Sequence, residues 1–129
     1  MDVHIIDKSQ RNPIEILHIE DDLDDAKLTD TLLKTSVDID INIQHATSLN
    51  NALAVSQNNP FDAIILDLNL PDASGLDAVR CMHSRYPNRA IIVMTGQDDQ
   101  AVAEQAMSLG AQDYLVKGKC GGDAIWRAI

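Results

Sequence analysis

Several short apolar runs in this chain stop at residues that can do chemistry. Ala63-Ile64-Ile65-Leu66 ends in Asp67, and the run from Ile14 to Ile19 ends in Glu20, Asp21 and Asp22. Ala90 to Met94 is followed by Thr95 and Gly96, and Tyr114-Leu115-Val116 by Lys117. If the runs are strands delivering their ends to one rim, carboxylates, a hydroxyl and an ammonium meet there. Clustered carboxylates do not all stay ionised cheaply unless a cation shares the site. Oxygen-only ligands suit Mg2+ or Mn2+, which take few protein ligands and keep several waters. A carboxylate such as Asp67 can then act as a nucleophile toward phosphorus, forming an aspartyl phosphate. A metal and Lys117 would neutralise the oxygens of a phosphoryl group, where catalysis is mostly positioning plus electrostatics. Thr95 can donate its hydroxyl to one of those oxygens, and Gly96 leaves the approach open.

Each residue alone has a simpler explanation. Asp67 before Asn69-Leu70-Pro71 can cap a turn, and the acids at positions 21, 22, 24 and 25 favour a helix N-terminus through the macrodipole. Thr95 can bond locally, and a lysine after a strand is usually solvated. It is their joint appearance at successive strand ends that points to a site.

The elements needed to hold them are written in the pattern. Ile14 to Ile19 reads as a first strand. A helix opening at Asp24 or Asp25 follows, with Ala26, Leu28, Leu32 and Leu33 on one face. Ile39, Ile41 and Ile43 alternate with polar residues, as in an edge strand exposed on one side. Ser48 caps a helix through Leu49, Ala52, Leu53 and Val55, stopped by Asn58-Asn59-Pro60. The all-apolar run before Asp67 suits a strand covered on both faces. A helix from about Gly75 to Tyr86 ends at Pro87, and Ala90 to Met94 is a fourth strand. Asp98 or Asp99 caps a helix carrying Val102, Ala106 and Leu109, closed by Gly110 at a left-handed C-cap. Tyr114 to Val116 is a fifth strand, and a last helix begins near Gly122. Strands alternating with helices predict an α/β fold, a doubly wound five-stranded parallel sheet with helices on both faces. Such sheets do their chemistry at the carboxyl ends of the strands. The edge strand contributes only His45-Ala46-Thr47, nothing comparable to the others.

Composition bounds the rest. At 129 residues the chain makes one domain, and 45% hydrophobic residues are enough to fold it. Residues 1–13 read as an N-terminal tail, with one apolar patch from Val3 to Ile6, and residues 14–129 as the domain. A formal net charge of -10 argues against gripping nucleic acid or an anionic membrane and suits a cation. Cys81 and Cys120 show no metal or disulfide spacing and read as reduced thiols. With no membrane-length apolar run and no signal-peptide pattern, the expectation is a cytoplasmic protein.

Together the segments Ile16 to Asp22, Ile65 to Pro71, Ile92 to Gly96 and Asp113 to Lys117 resemble the receiver domain of response regulators, the CheY-like family of two-component signalling. The resemblance covers about Ile14 to Ile129. It implies strand order 2-1-3-4-5, with Asp67 as the phosphoacceptor for the phosphohistidine of a sensor histidine kinase or phosphotransfer protein. It implies that Asp21 and Asp67 bind Mg2+, with Mn2+ as a substitute, that Glu20 acts largely through water, and that Asn69 offers its backbone carbonyl. Thr95 and Lys117 would hold the phosphoryl oxygens, and Tyr114 would swing inward with Thr95 as a switch. Asn69 and Gln97 would flank the route of an attacking water and tune dephosphorylation; as neutral amides they orient water rather than act as bases. The output face would comprise the fourth helix, fifth strand and last helix. Its partner is a downstream effector or an output domain, which a longer chain would carry.

Two positions depart from the family. Gly118 stands where proline often follows the lysine; a cis peptide before a non-proline residue costs about 2.5–4 kcal/mol, so a trans bond and a looser loop are expected. The last helix stops at Arg127-Ala128-Ile129 without a stop signal, which suggests a chain cut short or a domain of a longer protein. The rival functions are weaker. An aspartate-nucleophile phosphatase of the haloacid dehalogenase type needs an Asp where Asn69 stands. A flavodoxin-like module wants a glycine- and hydroxyl-rich phosphate loop where this chain has Glu20-Asp21-Asp22. A receiver-like interaction module that works without phosphorylation has no use for the full acidic set, Thr95 and Lys117. The reading is thus a switch that catalyses only its own phosphorylation and dephosphorylation, not an enzyme acting on outside substrates.

Overall fold

The computed structural model describes residues 13–36 and 40–129. The apolar patch from Val3 to Ile6, most of the expected tail, and Ile39 lie outside the described residues. Five strands are all parallel: β1 (Ile14–Ile19), β2 (Ile41–Ala46), β3 (Ala63–Leu66), β4 (Ala90–Thr95) and β5 (Asp113–Val116). They form one sheet in the order β2-β1-β3-β4-β5, as the resemblance implied. Between and after them run α1 (Leu23–Ser36), α2 (Leu49–Asn58), α3 (Gly75–Arg85), α4 (Gln100–Ser108) and α5 (Gly122–Ala128).

Side chains alternate across a strand, and the core divides accordingly. Leu17, Ile19, Ile64, Leu66, Ile91 and Val93 face α2, α3 and α4, meeting Ala52, Ala78, Val79, Met82 and Ala106. Ile16, Ile65, Ile92 and Met94 face α1 and α5, meeting Leu33, Ile125 and Ala128. Every residue of β3 is buried, as its unbroken apolar run required. Each large aliphatic side chain so buried is worth roughly 1.5–3 kcal/mol, so the two layers hold the strand ends in a fixed register.

Two expectations for the first helix need correction. It begins at Leu23, not at Asp24 or Asp25, because Asp22 is the cap: its Oδ1 accepts from the amides of Asp24 at 2.9 Å and Asp25 at 3.2 Å. The buried stripe is Ala26, Thr29 and Leu33, whereas Leu28 is 62% exposed. Leu28 lies two positions after Ala26, about 200° around the helix axis, and so faces solvent.

The other boundaries follow the sequence closely. Ser48 accepts from the Asn51 amide, and Asp99 accepts from Ala101 and Val102. Ser74, not singled out from sequence, caps α3 by accepting from Asp77. Gly110 takes a φ of 122°, where a side chain would also run into the His83 ring. Among the described residues every peptide bond is trans, including Lys117–Gly118, where Gly118 has a φ of 82°. Proline is confined to a φ near −65°, so this loop takes a course that a proline there would forbid.

Candidate functional site

Ladder bonds run past the strand ends and set the site backbone. The Glu20 amide donates to the Ala46 carbonyl at 2.9 Å, the Asp67 amide to Ile19 at 2.9 Å, and the Lys117 amide to Thr95 at 2.8 Å. Glu20, Asp67, Thr95 and Lys117 therefore inherit the register of the sheet. Glu20, Asp67 and Thr95 are buried at 1%, 3% and 0% exposure, while Asp21 is exposed.

Glu20, Asp21 and Asp67 each offer a carboxylate oxygen within 4.8 Å of the others. Lys117 reaches into this group from the end of β5. Its Nζ donates to Glu20 Oε1 at 2.6 Å and Asp25 Oδ2 at 2.8 Å, and lies 3.5 Å from Asp67 Oδ2. Asp67 Oδ1 is buried and has no hydrogen-bond partner among the described residues. An orphaned, buried carboxylate oxygen beside two further acids is an arrangement that a bound cation would complete.

The charge distribution agrees with the geometry. Burial, and then the close approach and negative charge of Asp67, push the Glu20 carboxyl up to about 7, with Lys117 pulling the other way. Burial works against the Lys117 ammonium, but its bonds to Asp25 and Glu20 and the charge of Asp67 outweigh that. Its pKa therefore stands above the ordinary lysine value.

The remaining expected residues line the approach. Asp21, Asn69 and Gln97 border an open groove of about 540 Å³ together with Leu70 and Val102. The Thr95 hydroxyl accepts from the Gln97 amide at 3.3 Å, the local bond that a strand-end threonine can make. Tyr114 is half-buried, and its hydroxyl donates to the Gln97 carbonyl at 2.7 Å, so Gln97 joins the end of β4 to β5. The sheet thus brings Glu20, Asp21, Asp67 and Lys117 together, and puts Asn69 and Gln97 on one wall of the groove with Asp21.

Two acids, Asp25 and Asp72, were missed as site residues. Asp25 was read as a helix opener, yet with Asp22 doing the capping its carboxylate is free to hold Lys117. Asp22 also donates its amide to Glu20 Oε2 at 3.2 Å, tying the cap to the site. Asp72, in the loop after Asp67, accepts from the amides of Leu49 and Asn50, both at 2.9 Å. Those amides hold its carboxyl below the ordinary range and fasten the loop to the start of α2. Only the three-residue spacing of Asp22 and Asp25, one helical turn, offered a signal for Asp25. No local signal existed for Asp72.

Comparison with known proteins places this geometry. The sequence profile of the response regulator receiver domain matches residues 16–125. Regulatory protein LuxO of Vibrio cholerae is 39% identical over 83 residues, covering 64% of this chain and 18% of LuxO. The photosynthetic apparatus regulatory protein RegA of Cereibacter sphaeroides is 37% identical over 75 residues, covering 58% of this chain and 41% of RegA. The match to these curated relatives therefore spans less than half of their length. A response regulator from Burkholderia pseudomallei, solved with a phosphorylated aspartic acid, a calcium ion and citrate, superposes with a TM-score of 0.77 at 28% identity. That match covers 89% of this chain and 65% of the other.

Proposed function

The chain belongs to the response regulator receiver domain family, and from that premise we propose that residues 14–129 form a phosphorylation-activated switch with Asp67 as phosphoacceptor. Receivers of this family are typically phosphorylated on aspartate in two-component signalling and are not classical enzymes. The observation that carries the assignment to Asp67 is its pair of oxygens. Oδ2 faces the Lys117 ammonium, while Oδ1 is buried and unpaired, an oxygen available to attack phosphorus.

In the proposed reaction an Asp67 oxygen attacks the phosphorus of a phosphohistidine on a sensor histidine kinase or phosphotransfer protein. The P–N bond breaks, and the imidazole nitrogen leaves with the bonding pair and takes up a proton. The acids fit Mg2+, or Mn2+ in its place: Asp21 and Asp67 would hold the ion directly, the Asn69 carbonyl would join them, and Glu20 would act largely through water. When bound, the ion supplies positive charge against the phosphoryl oxygens. Lys117 is already charged and within reach, and needs only to exchange a carboxylate for a phosphoryl oxygen. Thr95 would move to donate its hydroxyl to the phosphoryl group while still accepting from the Gln97 amide. That movement would draw on Gln97, whose carbonyl holds Tyr114, and so give Tyr114 a route to turn inward. Asn69 and Gln97, on the wall of the groove, would orient or exclude the water that removes the phosphoryl group.

The surface of α4, β5 and α5 is proposed as the output face, read by an effector or by an output domain in a longer protein. Several of the relatives are transcriptional regulators, which supports an output of that kind. No described helix is long and apolar enough to cross a membrane. A cytoplasmic site of action, beside the kinase, fits that observation.

The test is incubation with Mg2+ and a small phosphodonor, wild type against Asp67→Asn, read by intact-mass measurement. The wild type should gain one phosphoryl group and the variant none. Equal labelling of the two proteins would remove Asp67 from the role.

A further inference from the structure

A second convergence of ligating atoms lies on the α1 side of the sheet. His18 on β1 and His45 on β2 are register partners, so they stand side by side and point to the same face. Their rings are 5.4 Å apart, centroid to centroid. Asp30, one turn after the buried Ala26, comes down on them from α1. Its Oδ1 lies 3.4 Å from His18 Nδ1, and its Oδ2 lies 3.1 Å from His45 Nε2. One atom from each of the three residues can be chosen so that all lie within 4.8 Å of one another.

An ordinary buried histidine settles its polar atoms with hydrogen bonds. Here it does not. His18 is 2% exposed, yet its Nδ1 and Asp30 Oδ1 meet only each other, at 3.4 Å, and neither makes a hydrogen bond of good geometry among the described residues. The spacing is that of metal ligands: bonds of about 2.05 Å in a tetrahedron put neighbouring ligand atoms about 3.3 Å apart. The two nitrogen–oxygen separations, each to a different oxygen of Asp30, are near that value, and a small turn of the carboxylate would bring one oxygen to both imidazoles. Two imidazoles and one carboxylate suit a borderline transition metal and do not suit Mg2+, which prefers oxygen throughout.

We propose that His18, Asp30 and His45 form a binding site for one divalent transition-metal ion of the Zn2+ class, separate from the acidic group around Asp67. His45 is 36% exposed, which gives the ion its way in and leaves a fourth position for water or an exchangeable ligand. The ion would join β1, β2 and α1 at one point. Because α1 also supplies Asp25 to Lys117, the two sites share a rigid element.

Titration of the full chain with Zn2+ in excess Mg2+, by calorimetry, and with Co2+, by visible absorption, tests the proposal. One equivalent should bind, and Co2+ should give the intense bands of a tetrahedral site. His45→Ala and Asp30→Asn should each weaken binding at least tenfold, and Asp67→Asn should leave it unchanged. In the wild-type protein, Zn2+ should shift the ring signals of His18 and His45 in a nitrogen-correlated NMR spectrum and leave His83 in place, a readout that needs no substitution. Absence of binding, full binding after loss of His45, or loss of binding in Asp67→Asn would each overturn it. The last outcome would put the ion among the acids.

Discussion

The groups around Asp67 and Asp30 both draw on α1 and β1, yet they hold different sets of donors. Around Asp67, three carboxylates meet an ammonium that is pinned between Glu20 and Asp25. Around Asp30, one carboxylate faces two imidazoles, and among the described residues it pairs with no lysine or arginine. The first group is an excess of hard, charged oxygen held in check by a lysine. The second is softer, two nitrogen donors to one carboxylate. Two polar clusters of comparable size can therefore serve different ions, and the ligand chemistry of each residue type decides which.

Removing the lysine should separate the two groups most sharply. Lys117→Ala is expected to slow phosphorylation of Asp67 from a small phosphodonor roughly 10²-fold, the cost of losing a charged donor aimed at the reacting oxygens. Zn2+ binding by the same variant should be unchanged, measured by calorimetry. A variant that labels at the wild-type rate would show that Lys117 only balances Glu20.

A change in the shared helix should disturb both groups. Gly122 at the start of α5 packs directly against the Leu32 carbonyl and the Ser36 hydroxyl near the end of α1, with no room for a methyl group. Trp126 holds the same helix by donating its indole N–H to the Leu33 carbonyl at 3.1 Å. Gly122→Ala should cost about 1–3 kcal/mol of stability in chemical denaturation, as overpacking does, by pushing α1 away from α5. Phosphorylation rate and Zn2+ affinity should fall together, since Asp25 and Asp30 move as one. If one falls alone, α1 does not transmit the displacement as a rigid rod.

The smallest effect concerns pH. Glu20 has a folded pKa raised to about 7 from an unfolded value of 4.5. For an acid shifted upward, the folded state holds the proton more tightly. Its stabilising contribution is complete below pH 4.5 and is lost as pH rises through about 7. In chelator, the stability of wild type relative to Glu20→Gln should therefore decline between those limits. The size is on the order of 1 kcal/mol, because solvent around Lys117 screens the interaction. Added Mg2+ should flatten the decline. A difference profile flat in chelator would mean that Lys117 already compensates Glu20 in full.

Much of the acidic group was legible because its members stand at strand ends. A buried strand announces itself by an apolar run, and the residue just beyond it is known to reach the rim of a parallel sheet. Asp67, Glu20, Asp21, Thr95 and Lys117 all have that signature. Asp25 and Asp72 lack it. Asp25 was hidden by the rule that acids in a first turn serve the helix dipole; only the observed Asp22 cap frees its carboxylate. Asp72 reads as a turn residue, and its target, the N-terminus of α2, is remote in sequence. Leu28 was misplaced because apolar character alone was taken for a core position, whereas Ala26, Thr29 and Leu33 hold the inward angle.

The alternation of apolar runs and amphipathic segments was sufficient for the fold class, since each strand and helix has a period that only one secondary structure can bury. The same runs located the residues at the rim, because strand direction is common to all five. Where Lys117 points, which oxygen of Asp67 is left unpaired, and that His18, Asp30 and His45 meet at all were decided by the tertiary structure. Those facts depend on strand register and helix rotation across long gaps in the chain, and a local pattern holds no record of distances between side chains that become neighbours only when the sheet closes.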